Sequence, residues 1–263
     1  MMIHKELVFD IPFRKYQMGR IDSFIDEEIS NNSLEKGVVK ITAPEGVILT
    51  SIEYEEDLVK DFTDAFVFFN QELEKSIDPY ILSKMPKNAL TVPYNVNRLV
   101  IGDWQQIVFF ALQDIESLTI KLDFYKSHSI LGLESIETTS ELQTFDITDI
   151  IQRTLMNSHN DNVTLVSPSE SAIIYTLYPD KYKSLVSFLE TVAPKNKEYY
   201  HAHSWERSEV AHSHIRSSFI SQILTLTTAN GVLDLKGERL FLTELDTMPR
   251  RRDIYFEIWK EHN

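Results

Sequence analysis

The chain predicts an α+β fold built as two similar halves, residues 1–130 and 131–263, each with mixed β-sheets or a sandwich and a few packed helices. Three observations predict it. The same order of helical and extended patterns occurs twice along the 263 residues. Strands come in runs with a few helices between them, without the strict alternation of a doubly wound parallel sheet. Hydrophobic residues make up 43% of the chain, enough for a substantial core in each half.

The elements follow in order. Ile21, Phe24, Ile25 and Ile29 are spaced for one helical face, and Ile147, Ile150, Ile151 and Leu155 repeat that spacing. A β-branched run, residues 37–43, stops at Pro44, and residues 162–167 stop at Pro168 in the same way. A second strand follows each, at residues 47–54 and 172–178, and then a helix, at residues 56–74 and 181–191. Strand pairs come next, residues 89–92 with 99–101 and residues 223–227 with 232–235. The last strands are 104–112 with 118–124, and 239–245 with 253–259. Residues 126–143, rich in serine, threonine and glutamate, read as the linker.

Composition excludes several classes. Cysteine is absent, which removes disulfides, thiolate metal sites and a cysteine nucleophile. The net charge is −14, and both halves are acidic: 13 basic against 21 acidic residues in 1–130, 13 against 19 in 131–263. No basic tract offers a nucleic-acid footprint. Seven glycines in the whole chain include no phosphate-binding loop. No long uncharged apolar run indicates a membrane span, and the start lacks a signal-peptide core, so a cytoplasmic protein is expected.

Two strings carry the most information. The first half holds Leu90-Thr91-Val92-Pro93 and then Arg98 through Gly102-Asp103-Trp104-Gln105-Gln106-Ile107. The second holds His203 and then His212-Ser213-His214-Ile215-Arg216-Ser217-Ser218. Together they resemble the two signature blocks of the YjbQ-like family, related to the secondary thiamine-phosphate synthase proteins: a proline, arginine and G-x-W-Q block, and Y-x-H followed by S-H-I-K-S-S. The resemblance implies two tandem YjbQ-like domains, a homotrimer, and a weak or altered thiamine-phosphate-synthase-like activity at most. It puts the family's H-T-[TS] histidine at Glu45 and Ser169, and its glutamate nine residues on at Tyr54 and Tyr178. The S-H-I histidine is Tyr80 in the first half and His214 in the second. The G-x-W-Q block of the first half is Lys236-Gly237-Glu238-Arg239 in the second.

His203 and His214 are therefore the expected catalytic pair, in the second half. Read as strand residues, His201 with His203 and His212 with His214 would each present two imidazoles to one side. That pattern points to a divalent metal, zinc first, or to a small anionic ligand if the rings are protonated. Trp104 and Gln105 are expected to pack or to wall a ligand site, and Arg250 and Arg252 could hold an anion bidentately. Glu45 replaces a family histidine and reads as a turn residue, and Ser169-Glu170-Ser171 lacks a nucleophile-elbow pattern. Two functions fit: an enzyme or ligand-binding protein using the second-half histidines, or a non-catalytic assembly protein with a decayed site.

Overall fold

The computed structural model of the chain describes residues 2–155, 161–200 and 210–261, with the backbone alone at 128–132. The first half comprises β1 (Met2–Phe9), β2 (Met18–Arg20), α1 (Asp22–Asn31), β3 (Lys36–Thr42), β4 (Val47–Glu53), α2 (Glu56–Phe68), α3 (Pro79–Leu82), β5 (Ala89–Asn95), β6 (Arg98–Leu99) and β7 (Gln105–Ala111). A 20-residue strand, β8 (Leu118–Glu137), leads into the second half. There follow β9 (Thr144–Asp146), α4 (Thr148–Thr154), β10 (Asn162–Val166), β11 (Ala172–Leu177), α5 (Tyr182–Val192), α6 (Ala211–Phe219), β12 (Ile223–Ala229), β13 (Val232–Leu233), β14 (Arg239–Glu244) and β15 (Arg251–Trp259).

The pairings run in the same order in each half. β3 pairs with β5 and β8, β5 with β6, and β7 with both β2 and β4. β10 pairs with β12 and β15, β12 with β13, and β14 with both β9 and β11. All are antiparallel. β15 also pairs with β8, which joins the larger strands into one nine-stranded sheet, while β2-β7-β4 and β11-β14-β9 form two three-stranded sheets. The helical spacing seen in the sequence is realised as burial at Ile21, Ile25 and Ile29, then Ile147, Ile151 and Leu155, all at 0% exposure, whereas Phe24 of the expected first face is exposed and Ile150 of the second is half-buried.

Residues 126–137 are strand, not the expected linker. β8 pairs with β1 and β3 through residues 118–126, then with β15 through residues 127–137. The serine- and glutamate-rich composition reads as a loop, but a strand with a solvated face takes the same residues. The divide expected at residue 130 thus falls inside a continuous strand.

The small sheets are covered on both faces. Every residue of β4 and of β11 is buried. In β4, Val47 and Leu49 face a core with Phe109 and Ile120 that is mostly of the first half but also takes in Val166 and Ile223 of the second. Ile48 and Ile52 face a different core, which also holds Phe62 and Phe66 of α2, Phe188 and Leu189 of α5, and Phe219 of α6. In β11, Ala172 and Ile174 face a second-half core, whereas Ile173, Tyr175 and Leu177 face that shared helical core. Phe66 and Phe219, one from each half, stack with centroids 4.4 Å apart.

The seam of the large sheet carries a buried acid. Glu257 of β15 is 4% exposed, accepts a hydrogen bond from Ser127 of β8, and has Lys36 Nζ 3.8 Å away. Burial pushes its carboxyl up to about 7, against the pull of Lys36. The unfolded chain ionises near the ordinary value of 4.5, so the folded state loses stability as pH rises from there through about 7. The loss is on the order of 3–4 kcal/mol at about 1.4 kcal/mol per pH unit. Glu257→Gln is therefore expected to raise the melting temperature at pH 8 and to change it little at pH 4.5. An equal effect at both pH values, measured by calorimetry, would count against a neutral buried acid at this seam.

Candidate functional site

His214 lies on α6, whose residues from Ala211 to Phe219 are all buried. A helix this polar buries itself because its serines bond backbone oxygens: Ser213 Oγ donates to Val210 O at 2.6 Å, and Ser217 and Ser218 donate to His214 O at 2.8 and 2.9 Å. The expected strand geometry of the histidines is corrected here. Residues two apart on a helix point roughly 200° apart, so His212 and His214 face opposite ways. His201 and His203 lie outside the described residues.

His212 faces the segment between β8 and β9. Its Nε2 is 2.9 Å from Glu141 Oε1, which also accepts from Arg216 Nη1 at 2.8 Å, while Lys195 Nζ bonds Glu141 Oε2 at 2.6 Å. Burial first, then the Arg216 charge, lower the His212 pKa below its usual value. Burial would raise the Glu141 carboxyl, but the bond from Lys195 and the charge of His212 hold it below its usual range. This node fixes α6 against residues 138–143. It commits His212 to a structural bond and removes it from any pair with His214.

His214 faces the first half. Its Nδ1 lies 2.8 Å from Glu53 Oε2, with His214 at 6% and Glu53 at 4% exposure. Glu53 ends β4, directly opposite Gln105 at the start of β7. A second carboxyl, Glu170, sits in the loop between β10 and β11. Burial raises its pKa, and the Glu53 charge adds to that, against its own backbone N–H and the charges of His214 and Arg252.

The G-x-W-Q string builds the floor of this centre. Gln105 is 2% exposed. Its Oε1 accepts from Gly102 N at 2.6 Å, and its Nε2 donates to Ser169 O at 2.8 Å and Ser167 O at 3.3 Å. The amide thus ties the first half's turn to the second half's Glu170 loop. A Cβ on Gly102 would stand 3.1 Å from Glu170 Oε1 and 3.0 Å from the Pro168 carbonyl carbon, so a larger residue would push the two segments apart. Beyond Gly102 opens a cavity of about 650 Å³ whose wall includes Arg20, Asp26, Arg98, Asp103 and Tyr255. Trp104 is 54% exposed beside it.

Arg252, expected to hold an anion, is committed within the protein. It forks onto Glu244 at 2.7 and 2.6 Å and donates to Ser169 Oγ at 2.6 Å and Ser171 Oγ at 2.8 Å. Arg250 bonds Asp246 at 2.9 Å with its side chain 44% exposed. Glu45 is an exposed turn residue, as expected. Among the described residues no group of three histidines or carboxylates has the arrangement to hold a metal ion. Around His214 they supply one imidazole and two carboxyls.

A second meeting of the halves mirrors the first. One step beyond the β11–β14 ladder, Tyr178 stands opposite Glu238 as Glu53 stands opposite Gln105. Here the other half contributes α3. Tyr80 OH donates to Glu238 Oε1 at 2.8 Å and accepts from Tyr178 N at 2.9 Å, with the two rings 5.2 Å apart. Lys84 Nζ caps Glu238 at 2.7 Å to each oxygen and reaches Thr176 Oγ1 at 3.2 Å. Burial, then the Glu238 bond, push the Tyr80 phenol above its usual value. One meeting point therefore holds imidazole, carboxylate and amide, and the other a closed phenol–carboxylate–ammonium lock.

The strings around His214 and Gln105 lie at this meeting of the halves, whereas Glu53, one residue before the Tyr54 that the resemblance favoured, and Glu170, between two serines, belong to no motif of their own. The composition of residues 126–143 hid Glu141.

Residues 134–261 match the family described as UPF0047 protein YjbQ-like, just under half of the chain. That segment is a YjbQ-like domain. Solved structures similar to the chain include a conserved yjbq/upf0047 family protein from Clostridium acetobutylicum, at 23% identity over 48% of this chain and 98% of that one, with a TM-score of 0.41. A YbjQ-like protein of unknown function from Sulfolobus solfataricus matches at 19% identity over 49% and 97%, with a TM-score of 0.42. A conserved hypothetical protein from Thermus thermophilus matches at 24% over 47% and 97%, with a TM-score of 0.38. No curated protein matches the chain. No described helix is long and apolar enough to cross a membrane.

The buried Arg252–Glu244 pair, which lies within the second half, makes a stability prediction. Glu244 is at 0% exposure, so Arg252→Met would leave its charge buried without its main partner, a change that typically costs about 3–5 kcal/mol. Arg252→Met combined with Glu244→Leu is expected to recover more than half of that loss in urea unfolding. A double variant no better than the single one would show that Arg252 acts chiefly through its serine bonds.

Proposed function

We propose that this protein is a tandem of two YjbQ-like halves with one working acid–base centre built across them, acting on a small polar molecule that is neutral or cationic. The 2.8 Å approach of His214 of the second half to Glu53 of the first carries this reading. Two carboxyls in different environments favour two roles. Glu170, raised by burial, is the proton donor, and Glu53 with His214 is the acceptor pair. The cavity beyond Gly102 is lined by Gly102, Gln105 and Pro168 and not by His214, Glu53 or Glu170, so a substrate held there would reach the centre past Gly102. With two carboxyls at the centre and Arg252 neutralised by Glu244, an anion is disfavoured there. A thiamine-phosphate-synthase-like turnover, weak or altered, would have to hold its phosphate at Arg20 or Arg98 of the cavity wall rather than among these carboxyls.

The recurring order of strand pairing supports the tandem reading, and a closed trimer of such chains, in the cytoplasm, fits the resemblance and the prevalence of closed homo-oligomers. A divalent metal such as zinc would meet His214 and Glu53 first, a pair short of the three protein ligands such a site needs, with no part for His212. The closed Tyr80–Glu238–Lys84 lock favours a second reading, an assembly protein in which both meeting points are structural.

Carboxyl-labelled NMR separates these readings. Glu170 is expected to titrate above the ordinary glutamate range, and Glu53→Gln is expected to lower its pKa by removing the neighbouring charge. A Glu170 that titrates normally and ignores Glu53→Gln would support the assembly reading. Stoichiometric metal in the purified protein, lost in His214→Ala, would replace the acid–base centre with a metal centre.

A further inference from the structure

The halves enclose a second space, away from His214. It is a groove of about 420 Å³ between β5 and β12, within the size range of small-molecule sites. Its two walls are built alike. Leu49 N donates to Lys87 O at 2.8 Å on one side, and Ile174 N donates to Ser221 O at 3.1 Å on the other. Leu90 faces it from β5 and Leu224 from β12, and both are only half-buried.

Its charge is one-sided. Lys40, Lys84 and Lys87 line the groove, and no aspartate or glutamate does, in a chain of net charge −14. Glu261 offsets Lys40 at 2.8 Å and Glu238 offsets Lys84 at 2.7 Å. Lys87 is exposed and forms no ion pair among the described residues. The groove thus pairs an apolar floor, shared by both halves, with a cationic rim on the first-half side.

We propose that this groove binds a small amphiphilic anion, a carboxylate on an aliphatic body of about eight carbons. The chain lies on Leu90 and Leu224, where half-buried apolar surface gains by being covered. The head meets Lys87, whose charge no acidic side chain of the groove offsets. Both features are needed, so neither a free inorganic anion nor a neutral alcohol of the same length satisfies the site. The inference rests on the groove alone and stands or falls separately from the centre at His214.

Calorimetric titration of the intact chain with octanoate, 1-octanol and inorganic phosphate tests it. Octanoate is expected to bind one per chain, 1-octanol at least tenfold more weakly, and phosphate not measurably over the same range. Lys87→Glu, on the exposed rim, should weaken octanoate at least tenfold while leaving the unfolding transition in place. Leu224→Glu should abolish binding. Should Leu224→Glu fail to fold, Lys87→Glu together with the octanol comparison still decides. Absence of octanoate binding, equal binding of octanoate and octanol, or indifference to Lys87→Glu overturns the proposal.

Discussion

The constraint on which the rest depends is that each small sheet must be covered on two faces. Strands that alternate a buried and a solvated side can close one core and stop. β4 and β11 do not alternate: every residue of each is buried. One face of each is covered chiefly within its own half, with Val166 and Ile223 of the second half joining the first-half core, and the other by helices gathered from both halves. Burying an aromatic side chain such as Phe66 or Phe219 typically contributes about 1.5–3 kcal/mol. The shared helical layer is therefore part of each half's core, and β8, running unbroken from one half into the other, fixes their relative place.

That layer determines where chemistry can sit. α6 from the second half reaches the end of β4 in the first, and α3 from the first reaches the end of β11 in the second. The crossing makes two meeting points from equivalent positions. Their contents differ by a few side chains: His214, Glu53 and Gln105 in one, Tyr80, Tyr178 and Glu238 in the other. A phenol with a pKa above its usual value offers neither base nor ligand at neutral pH. Lys84 then turns the remaining carboxylate into an ion pair. The junction thus holds one polar centre and one lock.

Much of the fold was legible in the sequence because burial follows spacing. The Ile21-Ile25-Ile29 face and its Ile147-Ile151-Leu155 counterpart, and the strands that stop at Pro44 and Pro168, show their positions directly. Two features did not. The helix through His212 and His214 carries only a narrow apolar stripe, Ala211, Ile215 and Phe219, and serines bonding backbone oxygens let its other sides be buried as well. Residues 126–137 have a loop-like composition but pair along their length with β15. The candidate site was half legible: G-x-W-Q and S-H-I-R-S-S lie in segments that meet at the junction, yet each was read within its own half. Only the three-dimensional crossing shows that Glu53, one residue from where the resemblance placed a glutamate, belongs with His214. It also shows Gln105 and Arg252 spending their donors on the Glu170 loop and on Glu244.

The most direct test is to produce residues 128–263 alone and follow mass and unfolding together, by sedimentation and calorimetry. If the helical layer is a core owned jointly, no folded monomer of this half exists, and a cooperative transition returns when residues 1–127 are added. A monomeric 128–263 that unfolds cooperatively at the temperature of the intact chain would contradict a shared core, and with it the origin of the site at the junction.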